Sequence, residues 1–198
     1  MLTLFHAPQS RSSRIIWLLE EIGEPYTIEY VSIRRGDGSG APDPRNPHPD
    51  KKVPALLHDD RLVTESGAIC LHLSDSFPDA KLGPEPGDPS RSEYLTWLFY
   101  YAGVLEPALV AKITGRTERE PDEKRAYDAM CARLRAALRR GPYLVGEEFS
   151  AADILVESAF VWGRAHMPQG PEVDAYALRL SSRPARARAF TKDSPPAA

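Results

Sequence analysis

The residues with the most chemical potential lie between Lys52 and Ser66. Two short apolar runs, Ala55–Leu57 and Leu62-Val63, flank the turn residues Asp59-Asp60-Arg61, a pattern that predicts a β-hairpin. Pro54 stands at the mouth of the first strand. A proline cannot donate to a sheet ladder, and a cis bond after Val53 would turn the chain sharply, leaving the Val53 N–H and C=O outward to pair with an extended peptide. Glu65-Ser66 then opens a helix predicted at Gly67–Phe77, with Ser66 as its cap. The free amides and dipole of that helix end favour a bound carboxylate, and the Glu65 side chain could hold an ammonium group. A ligand with an amino-acid head and a peptide body suits this surface. An acidic residue and a hydroxyl are also favourable at a helix start without any ligand, but the proline and its strand tilt the reading toward binding.

The elements that must position these residues follow from periodicity. Leu2–Phe5 is a short strand ending at Ala7-Pro8, after which comes a hydroxyl-rich loop with Ser10, Arg11, Ser12 and Ser13. Ile15, Ile16, Leu18, Leu19 and Ile22 then recur at helical spacing until Gly23 stops the run. A second strand at Tyr26–Val31 completes a βαβ unit with a right-handed crossover. Residues 34–50 mix Gly, Pro and charges and read as an irregular loop. With the hairpin and its helix the order becomes β-α-β, then β-β-α, that of a thioredoxin-like α/β fold. The Pro/Gly-rich stretch from Asp79 to Ser90 suits a stiff connector. The expected organisation is therefore a domain at residues 1–79, a linker at 80–90 and an all-helical C-terminal domain at 91–198.

In that second part a helix from Arg91 to about Thr114 is expected to kink at Pro107. The next starts at Pro121, carries Tyr127, Met130, Cys131, Leu134 and Leu138 on one face, and ends at Gly141-Pro142. Ser150 and Asp153 have the spacing of a capping box, with Phe149 and Ile154 placed as a hydrophobic staple. Thr191–Ala198 reads as a solvated tail.

The ordered set Val-Pro-Ala-Leu at 53–56, Glu65-Ser66, Phe-Ser-Ala-Ala-Asp-Ile at 149–154 and the segment 175–185 ending in Arg-Pro-Ala resembles the glutathione transferases over nearly the whole chain. The resemblance implies a thioredoxin-like glutathione-binding domain followed by a helical domain, and glutathione as co-substrate. It implies that Lys52, Val53, Pro54, Glu65 and Ser66 bind the tripeptide, Lys52 at its glycyl end, with Lys51 as substitute if the register slips. The chemistry falls to Pro8–Ser13. Glutathione carries a cysteine thiol, and with a pKa near ~8.5 little of it is nucleophilic thiolate at neutral pH. A serine hydroxyl can donate to the sulfur, and a helix N-terminus adds positive potential. Ser10 matches the serine of serine-type members and ranks first, Ser12 second, Ser13 third, with Arg11 also within reach of the sulfur. The same serines could be caps alone. No Tyr or Cys stands in the loop.

The resemblance further implies conjugation to a small, largely apolar electrophile, as in detoxification, and a cytoplasmic homodimer. The helix at Arg91, with Tyr94, Trp97, Phe99 and Tyr101, would line the second-substrate pocket, although aromatic stripes are usually core. Two alternatives stay open: glutathione-dependent reduction of peroxides or disulfides, and a non-catalytic binding or assembly module.

Composition narrows the classes. The 198 residues are 42% hydrophobic and 27% charged, as in ordinary globular proteins, and the net charge of −3 makes no electrostatic case for nucleic acid or an anionic membrane. No apolar run approaches the roughly 18 residues of a membrane helix, and no basic leader with a long apolar core opens the sequence. Cys70 and Cys131 lack CxxC spacing and read as packed thiols, and the five histidines show no metal spacing. No glycine-rich phosphate loop or Gly-x-Ser-x-Gly elbow is present.

Overall fold

The computed structural model describes residues 1–195, which fall into two compact units. The first begins with β1 (Leu2–His6), α1 (Ser13–Ile22) and β2 (Tyr26–Tyr30), and continues with β3 (Ala55–His58), β4 (Arg61–Thr64) and α2 (Ser66–Ser76). The sheet order is β2-β1-β3-β4, with β1 parallel to β2 and antiparallel to β3, and β3 antiparallel to β4. This is the thioredoxin-like arrangement that the element order predicts. The inner strands β1 and β3 are buried on both faces, whereas the edge strand β2 alternates. Residues 31–52 contain no helix or strand, in keeping with the irregular loop expected there.

The second unit holds α3 (Arg91–Tyr100), α4 (Glu106–Ile113), α5 (Pro121–Leu138), α6 (Ala151–Gly163) and α7 (Pro171–Ser181). The kink expected near Pro107 takes the form of a π-helical turn, Tyr101–Leu105, in which the Glu106 N–H reaches back to the Tyr101 C=O. Pro107 has no N–H to give and its ring excludes the carbonyl one turn earlier, so an extra residue in the preceding turn relieves both. Tyr94, Trp97 and Tyr101 are core, while Phe99 points out with 73% exposure. The Ser150–Asp153 capping box forms as its spacing predicts. The Asp153 carboxylate is completely buried, accepting from Ser150 N–H at 2.8 Å, Leu144 N–H at 3.0 Å and Tyr176 O–H at 3.1 Å. Burial pushes its pKa up to about 6 against those hydrogen bonds.

The last helix, α8 (Pro184–Thr191), belongs with the first unit from Arg183 on, a difference from the expected 91–198 domain. The cause is a set of ion pairs to α1. Arg183 Nε donates to Glu21 at 2.6 Å, and Arg188 Nε to Glu20 at 2.7 Å. With the sheet on one side and α8 on another, α1 is buried from Arg14 through Glu20. The reading of 191–198 as a solvated tail also needs correction, since Lys192 bonds Glu20 and Asp193 bonds the loop before α1. Residues 196–198 lie outside the described residues. Cys70 is buried and its thiol pushed up to about 12 by desolvation, whereas Cys131 is half-buried. No helix among the described residues is long and apolar enough to cross a membrane.

Candidate functional site

The strand register brings the two chemically interesting stretches to one end of the sheet. Phe5 pairs with Ala55 and Ala55 with Thr64, so the chain leaving β1, the chain entering β3 and the chain leaving β4 meet there. Ala7 and Val53 accordingly pack in one apolar cluster with Phe5, Val31 and Ala55. The serine loop, Val53-Pro54 and Glu65-Ser66 are neighbours because of the sheet, not because of sequence.

The Val53-Pro54 bond is cis. The irregular loop before it is held from inside: Asn46, with no exposed surface, donates through Nδ2 to the Lys52 C=O at 2.9 Å, and its Oδ1 accepts from the His48 N–H at 3.0 Å. Lys51 Nζ is spent on the Asn46 C=O at 2.6 Å, whereas the Lys52 side chain is 73% exposed, with Asp50 at 3.5 Å. Of the two lysines, Lys52 is the one whose ammonium faces solvent.

Glu65 is the cap position of α2, and Ser66 is its first helical residue, which corrects the expectation that Ser66 caps a helix beginning at Gly67. The Glu65 backbone sits at φ 68°, ψ 125°, where a residue with a Cβ is strained, and its side chain is exposed and makes no cap hydrogen bond. The first bond of the helix runs from the Ile69 N–H to the Glu65 C=O at 2.9 Å, so the amides of Ser66, Gly67 and Ala68 stand at an open helix end.

The loop between β1 and α1 is a dense hydroxyl network. Ser10 is half-buried, and its Oγ donates to the Ala7 C=O at 2.7 Å or to Ser12 Oγ at 2.8 Å. Ser12 has no exposed surface, so its hydroxyl meets only protein: Ser10, the Ala7 N–H at 3.3 Å and His6 Nδ1 at 2.8 Å. Ser13 Oγ donates to Asp193. Arg11 is exposed at the loop's outer edge. Ser10 and Ser13 are both half-buried; Ser10 is the one of the two whose hydroxyl meets Ser12, whereas Ser13 Oγ accepts from the Ser10 N–H at 3.3 Å and donates to Asp193.

Residues that sequence reasoning missed complete this loop. His6 ends β1 with no exposure, and desolvation lowers its pKa against the raising effect of Asp193. Asp193 accepts from the Gln9 N–H at 3.0 Å, fixing a loop residue with φ 53°, and Arg35 donates to the Pro8 C=O at 2.8 Å. His6 could have been noticed as a polar residue at the end of a strand whose other residues are mostly apolar. Asp193 gives no such signal, because its partners lie at the other end of the chain. Among the described residues no group of three or more His, Cys, Asp or Glu could hold a metal ion.

In the second unit, Leu95, Thr96, Phe99, Tyr100 and Val104 line a shallow depression of about 490 Å³ on α3 and the π-helical turn.

Residues 1–75 match the family described as Glutathione S-transferase, N-terminal domain. The chain is 27% identical over 187 residues to Glutathione S-transferase GstA of Escherichia coli O157:H7, covering 91% of this chain and 93% of that one. It is 29% identical, over an alignment of 213 positions, to Disulfide-bond oxidoreductase YfcG of Escherichia coli K12, covering 97% and 95%. Among solved structures, a glutathione S-transferase from Actinobacillus pleuropneumoniae superposes with a TM-score of 0.82 at 26% identity, covering 98% of this chain and 93% of that one. A sphingomonad glutathione S-transferase complexed with glutathione gives 0.76 at 26% identity, covering 96% and 98%.

Proposed function

Because this chain belongs to the glutathione S-transferase family, we propose that it binds glutathione along the end of its sheet and activates the thiol for transfer to a small, largely apolar electrophile. In this reading the tripeptide lies extended against Val53, its peptide groups pairing with the Val53 N–H and C=O. The α-carboxylate of the γ-glutamyl end meets the amides at the start of α2, the ammonium meets Glu65, and the glycyl carboxylate meets Lys52. The cysteinyl sulfur then falls at the N-terminus of α1, where Ser10 donates to it. Rate gain comes from thiolate stabilisation and from holding the nucleophile in place.

The observation that carries this reading is the register Phe5–Ala55–Thr64, which gathers a hydroxyl, an open strand residue, a carboxylate and a helix end within one small area. The backbone of Glu65 adds support, since a strained exposed residue at an open helix end is typical of a ligand clamp. The depression on α3 is lined largely by apolar side chains, and its exposed Phe99 suits a homodimer contact. Calorimetric titration with glutathione tests the reading. Saturable binding is expected, weakened at least about tenfold in Glu65→Ala through loss of a charge pair. Absence of binding by the unmodified protein would favour a non-catalytic assembly module.

A second reading is favoured by the likeness to a disulfide-bond oxidoreductase across almost the whole chain. The same activated thiolate would then attack a disulfide sulfur instead of a carbon electrophile. Turnover of a small organic disulfide with glutathione, and none of an aryl halide, would select it.

A further inference from the structure

We infer that His6 is the terminal proton acceptor for the bound thiol, reached through Ser12 and Ser10, with the segment after α8 completing the relay. This rests on the glutathione-activating reading above and adds to it a destination for the thiol proton.

The geometry forms one continuous chain. Ser10 Oγ and Ser12 Oγ are 2.8 Å apart, Ser12 Oγ and His6 Nδ1 2.8 Å apart, and His6 Nε2 lies 3.0 Å from the Asp193 backbone C=O. A carbonyl oxygen only accepts, so Nε2 carries the proton and Nδ1 presents a lone pair to Ser12. The Ser12 proton is thereby committed to His6, so Ser12 Oγ can only accept from Ser10, whose hydroxyl has two acceptors in reach, the Ala7 C=O at 2.7 Å and Ser12 Oγ at 2.8 Å. When Ser10 turns to Ser12 the two hydroxyl protons run in line toward the imidazole, while the Ser13 proton goes to Asp193. One end of this wire is the half-buried Ser10, and the other is a ring with no exposure to solvent.

A thiol placed against Ser10 Oγ completes the path. The S–H bond breaks and its electron pair stays on sulfur. That proton binds Ser10 Oγ as the Ser10 proton passes to Ser12 and the Ser12 proton forms an N–H bond at His6 Nδ1. The products are a thiolate accepting from Ser10 and an imidazolium donating to Ser12 and Asp193. After sulfur has bonded to the electrophilic carbon, the chain running in reverse returns the proton through Ser10 to the leaving group or to solvent in the site.

The charged and titratable groups facing the ring suit this role. Asp193 Oδ1 is 3.5 Å from Nε2, on the chain after α8, and the Tyr30 ring on β2 meets the imidazole edge-on at 5.6 Å. Tyr30 donates its own proton to the Lys192 and Ser194 carbonyls and so helps to hold the segment that carries Asp193. Desolvation lowers the His6 pKa even though Asp193 raises it, so the imidazolium depends on the second negative charge that a thiolate formed at Ser10 adds.

The test counts protons. Glutathione is titrated at pH 7 in two buffers of different ionisation enthalpy, with S-methylglutathione as the reference lacking a thiol proton, while ultraviolet absorbance reports thiolate. The relay predicts that the unmodified protein forms thiolate with less than about half a proton released per thiolate, because the proton stays on His6. His6→Asn keeps an acceptor near Ser12 but has no basicity. It is expected to release about one proton per thiolate and to form thiolate only at higher pH, by about one unit. His6→Phe should behave alike. One proton released per thiolate by the unmodified protein would overturn the relay even if neither variant folds, as would a His6→Asn protein indistinguishable from it. Absence of any thiolate signal would instead overturn the glutathione-activating reading, and the relay with it.

Discussion

Asp153 shows how much a single buried carboxylate can decide. Its folded-state value of about 6 lies above the ordinary 3.8, so the folded chain holds this proton more tightly than the unfolded chain does. The stability that the proton adds is complete below pH 3.8 and is lost as pH rises through about 6. Through this group the second unit is expected to lose up to about 3 kcal/mol between those limits, measured as denaturant midpoints across the range. Asp153→Asn should flatten that dependence while costing about 1–3 kcal/mol at neutral pH, since the Ser150 N–H and hydroxyl lose their acceptor. Ser150→Ala should cost about 1 kcal/mol with the pH dependence retained. The Ser150–Asp153 pair was legible in the sequence because its partners are three residues apart. His6 and Asp193 were not, because 187 residues separate them and only the docking of α8 on α1 brings them together. Val53-Pro54 and Glu65-Ser66 stood out through their order, but the positive φ at Glu65 is a property of how β4 enters α2 and has no signature in the residue type.

The contact between α1 and α8 is an electrostatic clasp laid over an apolar one. Burial alone would raise the Glu20 carboxyl, but hydrogen bonds from Lys192, Tyr26 and Arg188 outweigh it and hold the pKa at about 2. Since that value lies below the ordinary 4.5, the stability it adds is present above pH 4.5 and is lost as pH falls toward 2. Glu20→Gln is expected to cost about 1–3 kcal/mol and to raise amide exchange selectively across α8, read by hydrogen-exchange mass spectrometry. Uniform protection in the variant would show that apolar packing alone seats the helix. Strands and helices were legible here because hydrophobic periods of two and three to four residues are local properties. Pro107 announced a disturbance, yet its form as a π-helical turn depends on keeping Tyr101 and Leu105 buried on either side. The boundary of α2 slipped by one residue because Ser66 is the better cap by composition, while the turn out of β4 puts Glu65 at the cap position with φ 68°.

The chain finishes its first unit with its last helix, so the order of residues and the order of packing differ. The connector at 79–90 was visible as a Pro/Gly-rich stretch, but the return at Arg183 was not, because Arg183, Arg188 and Lys192 look like surface charges until Glu20 and Glu21 are placed beside them. A chain ended at Ser182 is expected to lose α8, Asp193 and with them the order of the Gln9–Ser13 loop. Glutathione binding should therefore fall together with the thermal midpoint. Retained binding in that truncated chain would separate the loop from the helix. The measurement that bears most directly on the proposed activity is an ultraviolet difference titration with glutathione at neutral pH, comparing the unmodified protein with Ser10→Ala. The expected result is a saturable thiolate absorbance at a pH well below the ~8.5 of a free thiol, moved upward by about one unit or more in Ser10→Ala. A protein that binds glutathione without forming thiolate, or a Ser10→Ala variant with the same midpoint, would contradict it.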